Sequence, residues 1–577
     1  MTIPNSNQDV DRPLPPKASA FLLHIDVLII GGGPAGSYAA SILSREGIDV
    51  AVLEAAKFPS LIPSVRPYLR FIGAEEKMVK YGFTRKPGSA IKFNQFKREG
   101  YTDFVALGAN NNAWNVIRSE FDQLLLNHAQ ECGAKVYEET KVTNVNFDPL
   151  EPQKPVSVSW SRTAGSSNSM PTKTSGSTTF THLIDASGRA GLLSAKYLKN
   201  RHFNASLKNI AVWGYWSGLE GKKIGTYGKG TSREGAPWFE ALIDESGWAW
   251  AIPLHNGKTS VGIVMNQERY NTRSKSQSTD MPHEHGSSLV HRYLANLNLA
   301  PGVVNLLSGK DIGLSDESDG NVQRGNIQAM LEPGSVRSAS DFSYSAPSYA
   351  GGGYRIIGDA GAFIDPFFSS GIHLAFTGAL SAAATICASH RRDCSEAESA
   401  AWHTKRVAVS YTRFQVVVLS AYKQMRAQSS EVLSDVDEDN FDRAFTFLRP
   451  VIQGASDMGS RLSESELQRS LDFCVNLFNP TSPEEHQESS RRAHGCDEAS
   501  GGSKDIGGRI LRVGCCARDA GSSDSDSDSM PKMVLDKINA RRLVHSEYVI
   551  NNLEAEELGG YVVRLEKGRL GLVKVEV

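Results

Sequence analysis

Glycines 31, 33 and 36 form the pattern Gly-x-Gly-x-x-Gly between a β-rich run and a small-residue stretch, and Glu54 ends the next apolar run. That arrangement suits a dinucleotide. Gly31 permits a tight turn, Gly33 lets the backbone approach a pyrophosphate, and Gly36 allows close helix–strand packing. The helix N-terminus adds N–H donors and a partial positive charge. Glu54 is spaced to accept hydrogen bonds from ribose hydroxyls. The plain alternative is a glycine-rich loop with no ligand, and strand, helix and acid together argue against it. Two more blocks follow predicted strands: Asp185-Ala186-Ser187-Gly188-Arg189-Ala190-Gly191, and Gly358-Asp359-Ala360-Gly361 with Asp365-Pro366 behind it. One Asp before Ala in a turn is usually a cap. Three such blocks in this order point further.

Three other groups carry chemistry only in context. Trp248-Ala249-Trp250-Ala251-Ile252-Pro253 puts two indoles two residues apart, a spacing equally at home packing one face of a β core. In Asp365-Pro366-Phe367-Phe368-Ser369-Ser370-Gly371-Ile372-His373 the N–H groups entering the helix form an anion nest reinforced by its dipole. A Ser-capped helix start is the ordinary reading of that segment. A lone histidine on an apolar helix is more often packed than reactive, so His373 is given no role. Lys86, in Gly82-Phe83-Thr84-Arg85-Lys86-Pro87-Gly88, competes with the base rate of solvated lysines and with nearby Lys92.

The elements that must position these residues are legible from pattern. Ile25–Ile30 as a strand, Ala35–Glu46 as a helix and Val50–Leu53 as a strand make a β-α-β unit with the connection a parallel sheet needs. Phe121–Cys132 has amphipathic helical spacing, and strands are expected at Lys135–Tyr137, Val142–Phe147, Thr181–Asp185 and Tyr354–Ile357. Ser161–Thr179, dense in Ser, Thr and Gly, reads as a solvated hairpin loop. Strand-like runs over 208–265 suggest a mostly antiparallel second layer. Arg273–Ser288 reads as polar and mobile, Ile372–Ser389 as a small-residue helix, and 400–480 as helical. Pro480–Lys532 turns to Ser, Asp, Glu and Gly, the composition of a disordered insert. Arg541–Val577 recovers apolar patterning and is expected to pack back on the body.

Composition narrows the partners. With 62 basic and 64 acidic residues the net charge is -2, which gives no electrostatic reason to expect nucleic acid or an anionic membrane. Seven scattered cysteines without a CxxC pair are neither a disulfide framework nor a zinc knuckle, so no metal is expected and a reducing, cytoplasmic location fits. Met1–Ser19 lacks the basic start and apolar core of a signal peptide, and the apolar stretches Val27–Ile30 and Leu374–Ile386 fall short of a membrane span.

The three glycine and aspartate blocks resemble the fingerprints of the FAD monooxygenase-like group. The resemblance implies an α/β chain with a glutathione reductase-type FAD-binding fold, an interleaved antiparallel β substrate domain and a mainly helical C-terminal region. It places Asp359 on the ribityl chain, Pro366 to Gly371 beside the isoalloxazine, and Arg118 of Trp114-Asn115-Val116-Ile117-Arg118 against the cofactor.

Within that group the chain most resembles the flavin-dependent halogenases. Trp248 to Pro253 matches their Trp-x-Trp-x-Ile-Pro motif in full, and Gly82 to Gly88 resembles the segment holding the catalytic lysine of phenol-type members. The resemblance implies that FADH2 from a separate flavin reductase reacts with O2 to a hydroperoxide. Chloride at the N–H groups of Ser370 and Gly371 then gives HOCl. That oxidant passes a barrier of Trp248, Trp250, Ile252 and Pro253 to Lys86, which either hydrogen-bonds and polarises it as an ammonium or forms a haloamine as a neutral amine. Lys97 to Phe104 and Ser64 to Pro67 look like the fungal branch acting on phenolic polyketides in secondary metabolism. The implied domains are FAD-binding 20–200 and 346–395, β-rich substrate 201–345, helical 396–480, linker 481–535 and C-terminal 536–577.

One departure stands out. Such halogenases carry His-x-Gly-Glu-Ser between the equivalents of Pro59 and Leu61, whereas here Phe58-Pro59 runs into Ser60-Leu61-Ile62-Pro63. The loss of that strap keeps open an inactive flavin-binding paralogue. A monooxygenase hydroxylating a phenol directly is the other rival, although the third block lacks the histidine common after its Gly-Asp-Ala.

Overall fold

The computed structural model describes residues 24–54, 65–93, 95, 99–105, 110, 112–164, 172–218, 224–277, 288–313, 326–340, 343–426, 428 and 557–575. Its first sheet runs in the order Ala350–Gly351, Tyr354–Ile356, Thr172–Asp185, His24–Ile30, Val50–Leu53, Lys135–Tyr137. The pairs from Tyr354–Ile356 to Lys135–Tyr137 are all parallel. A strand buried on both faces needs apolar residues at successive positions, and His24–Ile30 supplies them. Val27 and Ile29 pack into the helix side, while Ile25, Leu28 and Ile30 pack into the opposite side.

Three helices cover the first face: Pro34–Arg45, Arg118–Glu131 and Gly371–Arg391. Small residues let two of them approach closely. Ala35, Ala39 and Ala40 meet Ala375, Ala379, Ala382 and Ala383 in one core, and Tyr38 stacks on Phe376 with centroids 4.4 Å apart. Gly371–Arg391, at 21 residues, is long and apolar enough to cross a membrane, contrary to the short span read from the sequence. Its most apolar window is 89% buried inside the fold, as a core helix would be.

The second sheet is mostly antiparallel, as the 208–265 pattern suggested. Its central order is Asn209–Ser217, Thr259–Asn266, Gly247–Pro253, Trp238–Ala241, Gly88–Lys92, Gly100–Asp103. Gly88–Lys92 enters it parallel to Trp238–Ala241. One face packs against the long helix Glu396–Met425.

One loop expectation is corrected. Ser161–Thr179 is largely strand: Pro155–Ala164 and Thr172–Asp185 pair antiparallel from Ala164↔Thr172 to Ser157↔Thr179, because alternating Ser and Thr are as good on a half-exposed strand as in a loop. Only 165–171 lie outside the described residues. Arg273–Gln277, the start of the segment read as polar and mobile, closes the helix Gln267–Gln277, and 278–287 lie outside the described residues. The hairpin Tyr561–Arg564/Gly571–Lys574 docks on the helix Gly371–Arg391, burying Leu570 and Leu572. Glu46 anchors it, accepting from Arg391 at 2.7 Å, the Gly568 N–H at 2.8 Å and the Leu570 N–H at 3.1 Å. The insert 480–532 and the helical reading beyond Gln428 lie outside the described residues.

Candidate active site

The first glycine block is built as a nucleotide loop requires. Gly31 sits at φ +104°, and a Cβ there would fall 2.2 Å from the Ala186 carbonyl oxygen. A Cβ on Gly36 would fall 1.9 Å from the Gly31 carbonyl oxygen, so both positions exclude any side chain. Gly33 is the N-cap of Pro34–Arg45 with extended backbone and no side-chain cap. The N–H groups of the first helical turn therefore receive no cap from the N-cap side chain. Glu54, 7% exposed, turns its carboxylate onto the Gly32 N–H. It thereby braces the loop.

The other two blocks converge on the same sheet edge. Asp185 is fully buried and committed to its own turn, accepting from the Ser187 N–H at 3.0 Å and the Leu193 N–H at 2.6 Å. Asp359 is different. It follows the strand Tyr354–Ile356 in the turn Gly358–Ala360, and its carboxylate accepts no hydrogen bond among the described residues. Burial pushes its pKa up to about 6 against the pull of the Arg118, Arg189 and Arg201 guanidiniums. Arg118 opens the helix Arg118–Glu131 and pairs with Asp122 at 3.2 Å. An uncapped helix end, a side-chain-free loop and a half-buried acceptor awaiting a donor fit the pyrophosphate and ribityl hydroxyls of FAD.

The loop leading to Gly371 lies beside the indole pair. Pro366 starts a short turn, Pro366–Phe368, capped by Asp365, which accepts from the Phe367 N–H at 3.2 Å. Ser370 precedes the helix but does not cap it with its side chain. Its hydroxyl is buried and finds no partner among the described residues, so the ordinary capped-helix reading does not hold. Gly371 and Ile372 then present first-turn N–H groups. His373 is packed rather than poised, edge-on to Tyr68 and Phe414 at 5.5 Å each.

Trp248, Trp250 and Ile252 share one face of Gly247–Pro253, as period-two alternation dictates, and that face looks at the loop. Trp248 is 1% exposed, with Phe367 edge-on at 5.0 Å and Trp250 at 5.6 Å. Trp250 is half-buried and donates to Ser260 Oγ at 3.2 Å. Its ring occupies the place where a Cβ on Gly262 would stand, 2.3 Å away. Pro253 ends the strand opposite Thr259.

Lys86 ends the strand Thr84–Lys86 and is 5% exposed. Its ammonium makes no hydrogen bond among the described residues and faces the Phe104 ring at 5.8 Å. Burial lowers its pKa to about 8. The solvated-lysine alternative therefore fails. Lys92, by contrast, is half-buried at the end of Gly88–Lys92 and has interactions of its own. Registers run from Trp250 through Phe239 to Ile91, and Lys86 precedes Ile91 by five residues. Lys86 itself lies off that sheet: its strand Thr84–Lys86 pairs antiparallel with Ala113–Asn115 in a separate two-stranded sheet, and Pro87 joins it to Gly88–Lys92.

Trp248 and the Ser370 loop are brought together, whereas Lys86 is set apart from both. Arg201, over the Tyr344 ring at 4.1 Å and bonded to Ala360 O at 3.1 Å, was not singled out in the sequence. Neither were Asn209 and Tyr422, whose partners are distant in the chain. The Phe58–Pro63 departure and Lys97–Arg98 lie outside the described residues.

A family model described as FAD binding domain matches residues 24–159, and one described as tryptophan halogenase matches 105–441. A flavin-dependent halogenase of Armillaria mellea is 49% identical over 95% of this chain and 98% of its own length. The sulochrin halogenase of Aspergillus terreus is 41% identical over 95% of this chain and 93% of its own. Among solved structures, the flavin-dependent halogenase CmlS superposes with a TM-score of 0.59 at 24% identity, covering 82% of this chain and 78% of that one. The myxobacterial chondrochloren halogenase CndH gives 0.56 at 23%, covering 78% and 97%; these two likenesses speak for the fold. The glutathione reductase-type fold, the FAD loop and these relatives together make the chain an FAD-dependent enzyme that belongs to the flavin-dependent halogenase family.

Proposed function

We propose that this enzyme chlorinates a phenolic aromatic polyketide, in a fungal secondary-metabolic pathway, by way of a diffusing oxidant and Lys86. The observation that carries the reading is spatial. Buried Trp248 and half-buried Trp250 close on the loop holding Ser370, and a buried lysine stands apart from them on a neighbouring two-stranded sheet. The Aspergillus terreus relative, whose name is sulochrin halogenase, supports a polyketide acceptor.

Bound FAD, reduced by a separate reductase, supplies with O2 the oxidising equivalent that turns chloride into HOCl. Gly31, Gly33, Gly36, Glu54, Arg118, Asp359 and Pro366 would hold that cofactor. The chain's other groups do the steering. The Ser370 and Gly371 N–H groups hold chloride, with the unpartnered Ser370 hydroxyl as a further donor. Trp248 and Trp250, continued by Ile252 and Pro253, keep the phenol from the flavin while leaving a passage for a small oxidant. Lys86 receives it. As an ammonium it donates to HOCl and polarises the O–Cl bond; as the neutral amine favoured by burial it forms N–Cl and releases water. The phenol oxygen directs chlorine to its ortho or para carbon. The domain limits set out from the sequence and a cytoplasmic location belong to the same proposal.

The test supplies a flavin reductase, FAD, chloride and a panel of phenolic polyketides. A chlorine isotope doublet in the product mass spectrum, lost in Lys86→Ala, is expected. Oxygenated products without chlorinated ones would overturn the reading.

A further inference from the structure

Tyr422, on the helix Glu396–Met425, belongs to no motif above, yet its hydroxyl joins the two halves of the site. Trp248 Nε1 donates to it at 2.8 Å, Asn209 Nδ2 donates to it at 2.8 Å, and it lies 2.8 Å from Asp365 Oδ2. An indole N–H and an amide NH2 can only give, so the tyrosine proton must go to the carboxylate. The direction is fixed: indole to hydroxyl to carboxylate. Asn209 also reaches Asp365 directly at 3.2 Å. Trp248, Asn209, Asp365 and Tyr422 are all at most 3% exposed, and in such a dry setting each bond strengthens the next.

Asp365 is the residue that caps the turn before Ser370, through the Phe367 N–H. Phe367 in turn stands edge-on to Trp248. The loop and the indole are therefore held together by an apolar contact and by the tyrosine, with the Trp248 N–H also drawn directly toward the Asp365 carboxylate. We infer that Tyr422 is a positioning residue that locks the indole barrier to the halide loop, so that passage and nest keep one relative geometry. The inference rests on reading Trp248 as the barrier and Ser370 with Gly371 as the halide site. Tyr422 is in the wrong place to do chemistry itself. Without its hydroxyl the Trp248 N–H loses its 2.8 Å acceptor and keeps only its interaction with Asp365, while Asp365 loses a donor, which loosens loop and strand against each other.

The experiment uses the full-length holoenzyme with a flavin reductase, chloride and a phenolic substrate. It reads the chloride KM, chlorinated product per FADH2 consumed, and escaped oxidant caught by an added enolic β-diketone. In Tyr422→Phe the chloride KM is expected to rise about tenfold, as for one lost hydrogen bond. Coupling should fall while trapped oxidant rises, with FAD content unchanged. A merely structural tyrosine would lower all turnover without moving the chloride KM. Asp365→Asn, which keeps an acceptor for the tyrosine, should retain coupling, and Asp365→Leu should lose it. That contrast decides the matter if Tyr422→Phe does not fold. Normal chloride KM and coupling in Tyr422→Phe, or equal behaviour of the two Asp365 variants, would overturn the inference alone. A wild type that makes no chlorinated product would overturn the proposed function with it.

Discussion

Phe367 meets the Trp248 indole edge-on, with centroids 5.0 Å apart and planes at 77°. The contact wedges the loop that carries Ser370 against the strand that carries both indoles. Since loop and strand lie more than a hundred residues apart in sequence, the proposed barrier and halide nest are a product of tertiary packing.

Trp248 should therefore be structural as well as functional. Trp248→Ala is expected to destabilise the protein by about 3–5 kcal/mol, the usual cost of emptying a buried Trp site. Half-buried Trp250→Ala should cost clearly less. Denaturant midpoints would show the difference. With the partition breached, mass spectra of Trp250→Ala reactions should contain oxygenated phenol that the wild type does not make.

Gly36→Ala tests the cofactor loop. Its Cβ would be forced to 1.9 Å from the Gly31 carbonyl oxygen, a backbone atom that cannot swing aside, with the Ile29 side chain 3.2 Å away. The variant should purify without the yellow of bound flavin and need far more FAD for saturation. Full flavin content on purification would contradict the packing described.

Lys86 should cost stability in exchange for reactivity. Its folded pKa is lowered to about 8 from an ordinary 10.5. Below pH 8 both states carry the proton and the folded state bears the full penalty of a buried charge. Between pH 8 and 10.5 the unfolded chain binds more protons than the folded one, so stability rises with pH until the penalty is gone. At about 1.4 kcal/mol per pH unit the penalty is about 3 kcal/mol. Lys86→Met should thus be more stable than wild type at pH 7 by roughly that amount, with the gain fading by about pH 10.5. Thermal melts across that range would check both size and sign.

Much of this was legible in the sequence, for local reasons. The β-α-β unit shows itself because strand, glycine turn, helix and acid are contiguous, and the Trp248/Trp250 face follows from period-two alternation alone. Burial of Lys86 was not legible: Thr84-Arg85-Lys86-Pro87 is polar, and only pairing with Ala113–Asn115 and the Phe104 ring encloses it. Tyr422 sits 57 residues from Asp365 and 174 from Trp248, so no local pattern marks it. Ser161–Thr179 misled because Ser and Thr serve strands and loops alike.

Ser370→Ala separates halide binding from turnover. The hydroxyl is buried and unpartnered within the described protein, which suits an anion-facing donor. Chloride KM should rise several-fold, within the roughly 1 kcal/mol of a single hydrogen bond, while the rate at saturating chloride stays near wild type. An unchanged chloride KM would remove the hydroxyl from the halide site.

The partition itself is tested most directly by the position of a bound phenolic polyketide in a crystal structure of the FAD complex. Its ring is expected on the Lys86 side of Trp248 and Trp250, within reach of the lysine amine and screened from the flavin. A ring stacked on the isoalloxazine, with the indoles swung aside, would contradict a diffusing oxidant and make direct oxygen transfer the chemistry of this enzyme.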